Sequence, residues 1–313
     1  MIYMFGYGIQ GRAHAQNLRD SGSDVVVINR SDEYLNTAIE DGFTAINRCA
    51  YESLNDGDIL YILIPEEGHK EIITELMGNV DKEVTVVFAH GFTLIDETII
   101  FPDNWDILMI APRYPGAQVR GRYLANHGVP AYINVTQDYT GHANDTLNSL
   151  CAKLGFDKGG TLDVSAAEET LVDLAIENVM APSFFIFVQK LFSKLVERGV
   201  RPEVACMELY YSGETGAVRT AMSKFGLYKG LQVNASPTCQ FGASSSAEAL
   251  NEMDWVDEFI DSRLDRIESG KFATELNDYP LTSEVKSRFF DSDISNKIRE
   301  SEAKCNVIFG EKV

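Results

Sequence analysis

Short, almost wholly apolar runs alternate with segments of helical spacing through the first half of this chain. Residues 2–5, 24–28, 58–64, 84–89, 106–111 and 131–135 are apolar stretches of strand length, the pattern of strands covered on both faces. Residues 12–21 and 71–77 carry helical periodicity between them. This alternation predicts an α/β Rossmann domain with a doubly wound, mostly parallel sheet. From about Val164 the pattern turns helical and stays so, predicting domains at 1–163 and 164–313. Residues 178–189 are twelve positions without charge, too short for a bilayer span, and predict a buried helix around 184–195. Residues 202–211 predict another helix, and 235–242 a turn-rich break. Beyond Ala243 only amphipathic helices are legible, 254–267 among them, and no motif.

Composition narrows the function more than the fold. The 313 residues suffice for two cores, and 45% hydrophobic with 24% charged residues is ordinary for a globular chain. A formal net charge of −20 argues against a nucleic-acid partner, which needs a basic face. The five cysteines, Cys49, Cys151, Cys206, Cys239 and Cys305, are scattered without a CxxC pair, which fits a reducing cytoplasm. The first residues lead straight into a strand and a glycine turn, so neither a signal peptide nor a membrane anchor is expected.

The first apolar run is followed by Gly6-Tyr7-Gly8-Ile9-Gln10-Gly11 and then a helix. Strand, GxGxxG, helix and second strand in succession mark a dinucleotide-binding turn. Gly6 permits the tight turn, Gly8 lets backbone approach a pyrophosphate, and Gly11 allows close helix packing; the helix N-terminus then faces the phosphates. Ligands of such sheets lie beyond the carboxyl ends of the strands. Ile64, Pro65, His90 and Arg113 all fall there. The blander alternatives are a backbone-bonded loop histidine for His90 and a surface ion pair for Arg113. After the second strand comes Asn29-Arg30-Ser31-Asp32-Glu33. Arg30 and Ser31 suit a 2′-phosphate, whereas Asp32 and Glu33 suit a free ribose hydroxyl; the balance leans to NAD.

Glu169, Asp173 and Glu177 recur every four residues in an otherwise apolar stretch, so a helix stacks them on one face. Like charges at that spacing repel, and residues 162–188 contain no Lys or Arg to compensate them. A divalent cation such as Mg2+ would. Alone, the stripe reads slightly better as a solvated face; beside a dinucleotide motif the metal reading leads.

Several segments together resemble the ketol-acid reductoisomerases: residues 6–22, Ala89-His90-Gly91-Phe92, Ala111-Pro112-Arg113-Tyr114-Pro115-Gly116, residues 128–131 and residues 168–177. The likeness runs from the first residue to roughly Gly242. It implies a Rossmann domain before a knotted helical domain, a nicotinamide cofactor, Mg2+, and active sites shared across a homodimer. It further implies that His90 is catalytic or touches a small-molecule substrate, that Asp173 and Glu177 ligate metal with Glu169 in support, that Glu208 comes from the partner subunit, and that Ser236 binds near the substrate carboxylate.

Three departures from the family pattern stand out. The family has a second Glu where this chain has Ser212, a Lys where it has Arg113, and Ser-Asn-Thr-Ala-Glu-Tyr-Gly where it has Ser236-Pro237-Thr238-Cys239-Gln240-Phe241-Gly242. Fewer carboxylates should weaken a second metal ion, and with it the alkyl migration of the family. The departures suit a repurposed member, similar in kind to the NAD-dependent enzyme of malleicyprol biosynthesis that closes a cyclopropanol ring from a sulfonium-bearing hydroxy acid. An ordinary reductoisomerase of branched-chain amino-acid synthesis and a non-catalytic NAD-binding regulator are the competing readings.

Overall fold

The computed structural model describes residues 1–47, 51–277 and 284–310. Two compact units emerge, Met1–Val172 and Asp173–Val313.

In the first unit eight strands form one sheet: β1 (Ile2–Phe5), β2 (Val25–Ile28), β3 (Thr44–Ile46), β4 (Ile59–Ile62), β5 (Thr85–Phe88), β6 (Asp106–Pro112), β7 (Ala131–Gln137) and β8 (Thr161–Asp163). Their order is β3-β2-β1-β4-β5-β6-β7-β8. The strand order reverses at β1/β4, which opens a crevice beyond their carboxyl ends. Both faces of the sheet are covered, and alternation along each strand divides its side chains between two cores. Ile2 and Met4 of β1, Tyr61 of β4, and Leu108 and Ile110 of β6 belong to one core, together with Ala15 and Leu18 of α1 (Ile9–Asp20) and Val119 of α4 (Gly116–Leu124). Tyr3 and Phe5 of β1, Leu60 and Ile62 of β4, and Ile107 of β6 belong to the other, against Ile73 and Leu76 of α3 (His69–Asn79). The near-continuous apolar runs in the sequence are the two-sided burial of these strands.

The sheet is mostly parallel, as expected, and three details lie beyond the sequence pattern. β7 pairs antiparallel with β6. The short α4 does not carry the chain across the sheet: the Arg113 amide, just past β6, donates to the Pro130 carbonyl just before β7. β3 and β8 are strands of three residues each, too short and too polar to stand out as runs. The break expected at 235–242 is confined to its start. Pro237 opens helix α11 (Pro237–Asn251) and Ser236 caps it, accepting from the Cys239 amide at 3.2 Å.

The second unit is helical, from α7 (Ala181–Glu197) to α15 (Asp293–Phe309), with α8 (Pro202–Cys206) and α12 (Asp254–Glu268) among its elements. Its core is small: Phe192, Ala205, Cys206 and Cys305. Two π-helical turns interrupt the helices, at Ile176–Met180 and Met207–Tyr211. The expectation of a buried helix around 184–195 is corrected. Along α7 only Phe192 is buried, while Phe185, Phe187 and Leu191 lie exposed. Ala166–Glu197 is the one helix among the described residues long and apolar enough to cross a membrane, and only 6% of its apolar window is buried. One edge of α7 joins the small core through Phe192, with Leu195 and Val196 packed against it, and Phe185 meets the ring of Phe289 at 5.8 Å, while the rest of its apolar surface stays open among the described residues.

Candidate active site

The glycine turn follows β1 directly. Gly6 has φ +98°, and a β-carbon there would sit 2.5 Å from the carbonyl oxygen of Leu63, just past β4; only glycine fits. The space beside Gly8 is open, as a pyrophosphate approach requires. Ile64 and Pro65 follow β4 across the β1/β4 crevice. Asn29 Oδ1 accepts from the Tyr7 amide at 3.1 Å, and Gln10 Nε2 donates to the Tyr114 carbonyl at 2.9 Å. The Tyr7 hydroxyl donates to Asp41 Oδ2 at 2.7 Å. Arg12 donates to the same carboxylate through Nε and Nη2 at 2.7 and 2.9 Å. Burial alone would raise the Asp41 carboxyl, yet hydrogen bonds from Arg12 and Tyr7 hold it below its ordinary value. Sequence reading missed Asp41 and Asn29; nothing local marks partners 34 and 22 positions away from Tyr7.

Asp32 is the N-cap of α2 (Glu33–Glu40), its Oδ1 accepting from the amides of Tyr34 and Leu35 at 3.0 and 3.3 Å. Asn29 Nδ2 and Arg30 Nε donate to the same carboxylate at 2.7 and 3.0 Å. Burial by itself raises this group, but those donors hold it below the usual carboxylate value.

Beyond β5 the chain turns at Ala89-His90-Gly91 and packs against α6 (Ala166–Ala175). Helix α6 begins where it does because Ser165 and Glu168 form a capping box: Glu168 Oε2 accepts from the Ser165 amide at 3.0 Å, and Ser165 Oγ from the Glu168 amide at 3.1 Å. Glu168 is thereby turned to the helix end, and Glu169 turns inward to full burial. The Gly91 amide donates to Glu169 Oε2 at 2.7 Å, and Arg113 Nη2 lies 3.2 Å from Glu169 Oε1. The cation that residues 162–188 lack is thus supplied by the end of β6. Arg113 is therefore a partner of a buried carboxylate, with Tyr132 under its guanidinium at 4.9 Å.

His90 Nδ1 accepts from the Phe92 amide at 2.9 Å, so in the neutral ring the proton is on Nε2. Its Nδ1 is 3.7 Å from Glu169 Oε2, outside hydrogen-bond reach. One turn farther along the same helix comes Asp173. One ligand atom from each of His90, Glu169 and Asp173 lies within 4.8 Å of the other two. This grouping of two carboxylates and an imidazole, one carboxylate fully buried, has the donor chemistry of a divalent cation site. Glu177 follows, exposed, on the first π-helical turn. Glu208 sits exposed on the second, with Ser212 at its end, and Ser236 is exposed at the start of α11. His90, Arg113, Glu169 and Asp173 are therefore brought together; Glu177, Glu208 and Ser236 are not members of that grouping.

Two family models match, "Acetohydroxy acid isomeroreductase, NADPH-binding domain" over residues 1–160 and "Ketol-acid reductoisomerase, C-terminal domain" over residues 167–304. The chain belongs to the ketol-acid reductoisomerase family. It is an NAD(P)-dependent oxidoreductase. A ketol-acid reductoisomerase (NADP(+)) of Pyrobaculum aerophilum is 34% identical over 281 residues, 88% of this chain and 83% of that relative. The one of Pyrobaculum neutrophilum is 32% identical over 318 residues, 99% of this chain and 94% of the relative. Among solved structures, an NADH-preferring ketol-acid reductoisomerase from an uncultured archean superposes with a TM-score of 0.88 at 26% identity, covering 99% of this chain and 95% of that one. A pyrroline-5-carboxylate reductase of Coxiella burnetii, at 18% identity and a TM-score of 0.60, shares the fold alone.

Proposed function

We propose that this family member moves a hydride between a nicotinamide dinucleotide and a small hydroxy acid held beside Mg2+, in a specialised pathway. The grouping of His90, Glu169 and Asp173 within 4.8 Å carries the catalytic part of that reading. When bound, Mg2+ on Asp173 and Glu177 would polarise the substrate oxygens, and the dinucleotide over Gly6-Tyr7-Gly8-Ile9-Gln10-Gly11, beside Ile64 and Pro65, would take and return the hydride. The Gly91 amide and Arg113 face the Glu169 carboxylate and hold its orientation. His90, its Nδ1 taken by the Phe92 amide, can hold or release a proton at Nε2 toward a substrate oxygen.

For the dinucleotide we infer a preference for NAD. In a Rossmann fold a 2′-phosphate would approach the loop after β2. Here Asp32 already occupies the first amides of α2 with its own negative charge, and it also engages the exposed Arg30. A phosphate would meet a carboxylate where it needs donors.

The specialised role rests on the absent carboxylate at Ser212. A redox-neutral sequence needs less of a second metal. The substrate would give up a hydride to become a ketone and lose a proton from the adjacent carbon. That carbon would expel a dialkyl sulfide from the sulfonium, closing a cyclopropane ring, and the ketone would take the hydride back. Net, one proton and one sulfide leave. Mass spectrometry of products from sulfonium-bearing hydroxy acids with NAD+ and Mg2+ tests this directly, and brisk consumption of NADH or NADPH with acetolactate would overturn it. The second reading is ordinary acetohydroxy-acid conversion, favoured by relatives of that name that align over more than four-fifths of their length.

We further propose a homodimer with interlocked, knotted helical domains, in which a second copy covers the apolar surface of α7 and lends Glu208, with Ser236 at the substrate carboxylate. The exposed Phe185, Phe187, Tyr228 and Phe241 support this over a solvated helical unit. An active monomer by light scattering and assay would refute it. Free, unbridged Cys151, Cys206, Cys239 and Cys305 support a cytoplasmic site of action.

A further inference from the structure

The first π-helical turn, Ile176–Met180, carries Glu177 and has an external brace. A π-turn is rare and is found frequently at functional sites; in this one the Ala181 amide donates to the Ile176 carbonyl. Asn178 braces it in two directions. Its Nδ2 donates to the Leu174 carbonyl at 2.9 Å, closing the turn from within. Its Oδ1 accepts from Arg266 Nη1 of α12 at 2.8 Å. Arg266 is itself fixed: its Nε and Nη2 reach Glu275 Oε2 at 2.7 and 2.6 Å, and the Phe272 ring lies 4.8 Å from its guanidinium carbon. With its side chain only 23% exposed, it is no loose surface arginine.

The same plan recurs at the second π-turn, Met207–Tyr211, which carries Glu208. There Tyr210 donates to Glu302 and Tyr211 to Asn306, both on α15. Each exposed carboxylate assigned to the metal and substrate therefore rides on a π-turn that a later helix holds. Residues 243–313, which offer no motif in the sequence, provide these holds.

We propose that Arg266 is a positioning residue: by clamping Asn178 it fixes the π-turn that presents Glu177 to a divalent cation. This rests on the metal reading of Asp173 and Glu177. The guanidinium fork matters because it engages an amide oxygen and a carboxylate at once, which an ammonium cannot reproduce in that geometry.

The test uses Mn2+ as the probe on the full-length protein, with affinity read by electron paramagnetic resonance and NADH affinity by fluorescence. Arg266→Leu should weaken Mn2+ binding roughly 10–100-fold, the usual effect of removing a support behind a metal ligand, and leave NADH affinity unchanged. Asn178→Ala should do the same, and the double variant should be no worse than either single one. An unchanged Mn2+ affinity in folded Arg266→Leu, or fully additive losses, overturns the proposal. Should Arg266→Leu fail to fold, Asn178→Ala decides alone, and wild-type Mn2+ affinity there is equally fatal. If wild type and Asp173→Ala bind Mn2+ alike, the metal reading itself has failed. If Asp173→Ala weakens binding and Arg266→Leu does not, only the clamp has.

Discussion

Arg113 Nη2 stands 3.2 Å from Glu169 Oε1, joining the end of β6 to a carboxylate with no solvent exposure. The guanidinium and the Gly91 amide both face that carboxylate. Removing one partner of a buried pair strands the other charge. Arg113→Ala should cost about 3 kcal/mol of stability, the lower end for such a loss since Arg113 keeps some exposure. Urea unfolding measures this; added Mg2+ should recover part of the loss, and an unchanged midpoint would contradict the pairing.

A second prediction concerns pH. His14 is fully buried, edge-on to Tyr61 and Phe156 at centroid distances of 5.9 and 5.6 Å, and neither ring nitrogen has a hydrogen-bond partner. Burial pushes its pKa from 6.5 down to about 4. The unfolded chain takes up a proton near 6.5 that the folded chain refuses until about 4. The His14 contribution to stability is therefore complete above pH 6.5 and is lost as pH falls toward 4, by roughly 3 kcal/mol in all. His14→Phe should flatten this part of the stability profile; an unchanged slope between those pH values would refute the assignment.

Much of the sheet is legible in the sequence for a physical reason. β1, β4 and β6 are buried on both faces, so apart from Asp106 at the start of β6 their residues are apolar and the run announces itself. The direction of β7 is not legible, because it depends on where α4 returns the chain, which the Arg113–Pro130 backbone bond fixes through space. The carboxylate stripe reads as a helix face for Glu169 and Asp173, whereas Glu177 falls on the π-helical turn, and the counter-charge of Glu169 arrives from a residue 56 positions earlier (169 − 113). Burial of α7 fails as an inference from apolarity alone, since an apolar helix reports that something covers it and not what. The braces Arg266 and Asn178 carry no signature, being two ordinary polar residues that become a pair only when α12 lies against the π-turn.

A third prediction tests cofactor choice. Asp32 spends its carboxylate on the Tyr34 and Leu35 amides, Asn29 and Arg30. Asp32→Ser keeps an N-cap, so the helix should lose only a few tenths of a kcal/mol to about 1 kcal/mol. It removes the negative charge and releases Arg30. The NADP/NAD affinity ratio should rise about tenfold or more, as expected when one repulsive charge gives way to an attractive arginine. Equal ratios for variant and wild type, measured by fluorescence titration, would sink the role given to Asp32.

The final prediction isolates the contact on which the cluster of His90, Glu169 and Asp173 depends. Gly91 has an ordinary helical φ of −78°, so its requirement is one of space and not of conformation. A β-carbon there would lie 2.4 Å from the Ala166 carbonyl oxygen, 2.8 Å from Thr170 Oγ1 and 3.0 Å from Glu169 Oε2. The first of these is backbone and cannot turn aside. In Gly91→Ala the start of α6 must move away from the loop after β5, and Glu169 and Asp173 move with it. Overpacking of this kind costs about 1–3 kcal/mol, and a displacement near one ångström at a reacting centre costs about a hundredfold in rate. The glycine turn after β1 is not touched by this change. Turnover and Mn2+ affinity should therefore fall together while NADH affinity stays as in wild type. Near wild-type turnover in Gly91→Ala would mean that α6 does not hold the reacting groups, and a matching loss of NADH affinity would mean that the unit has lost its fold as a whole.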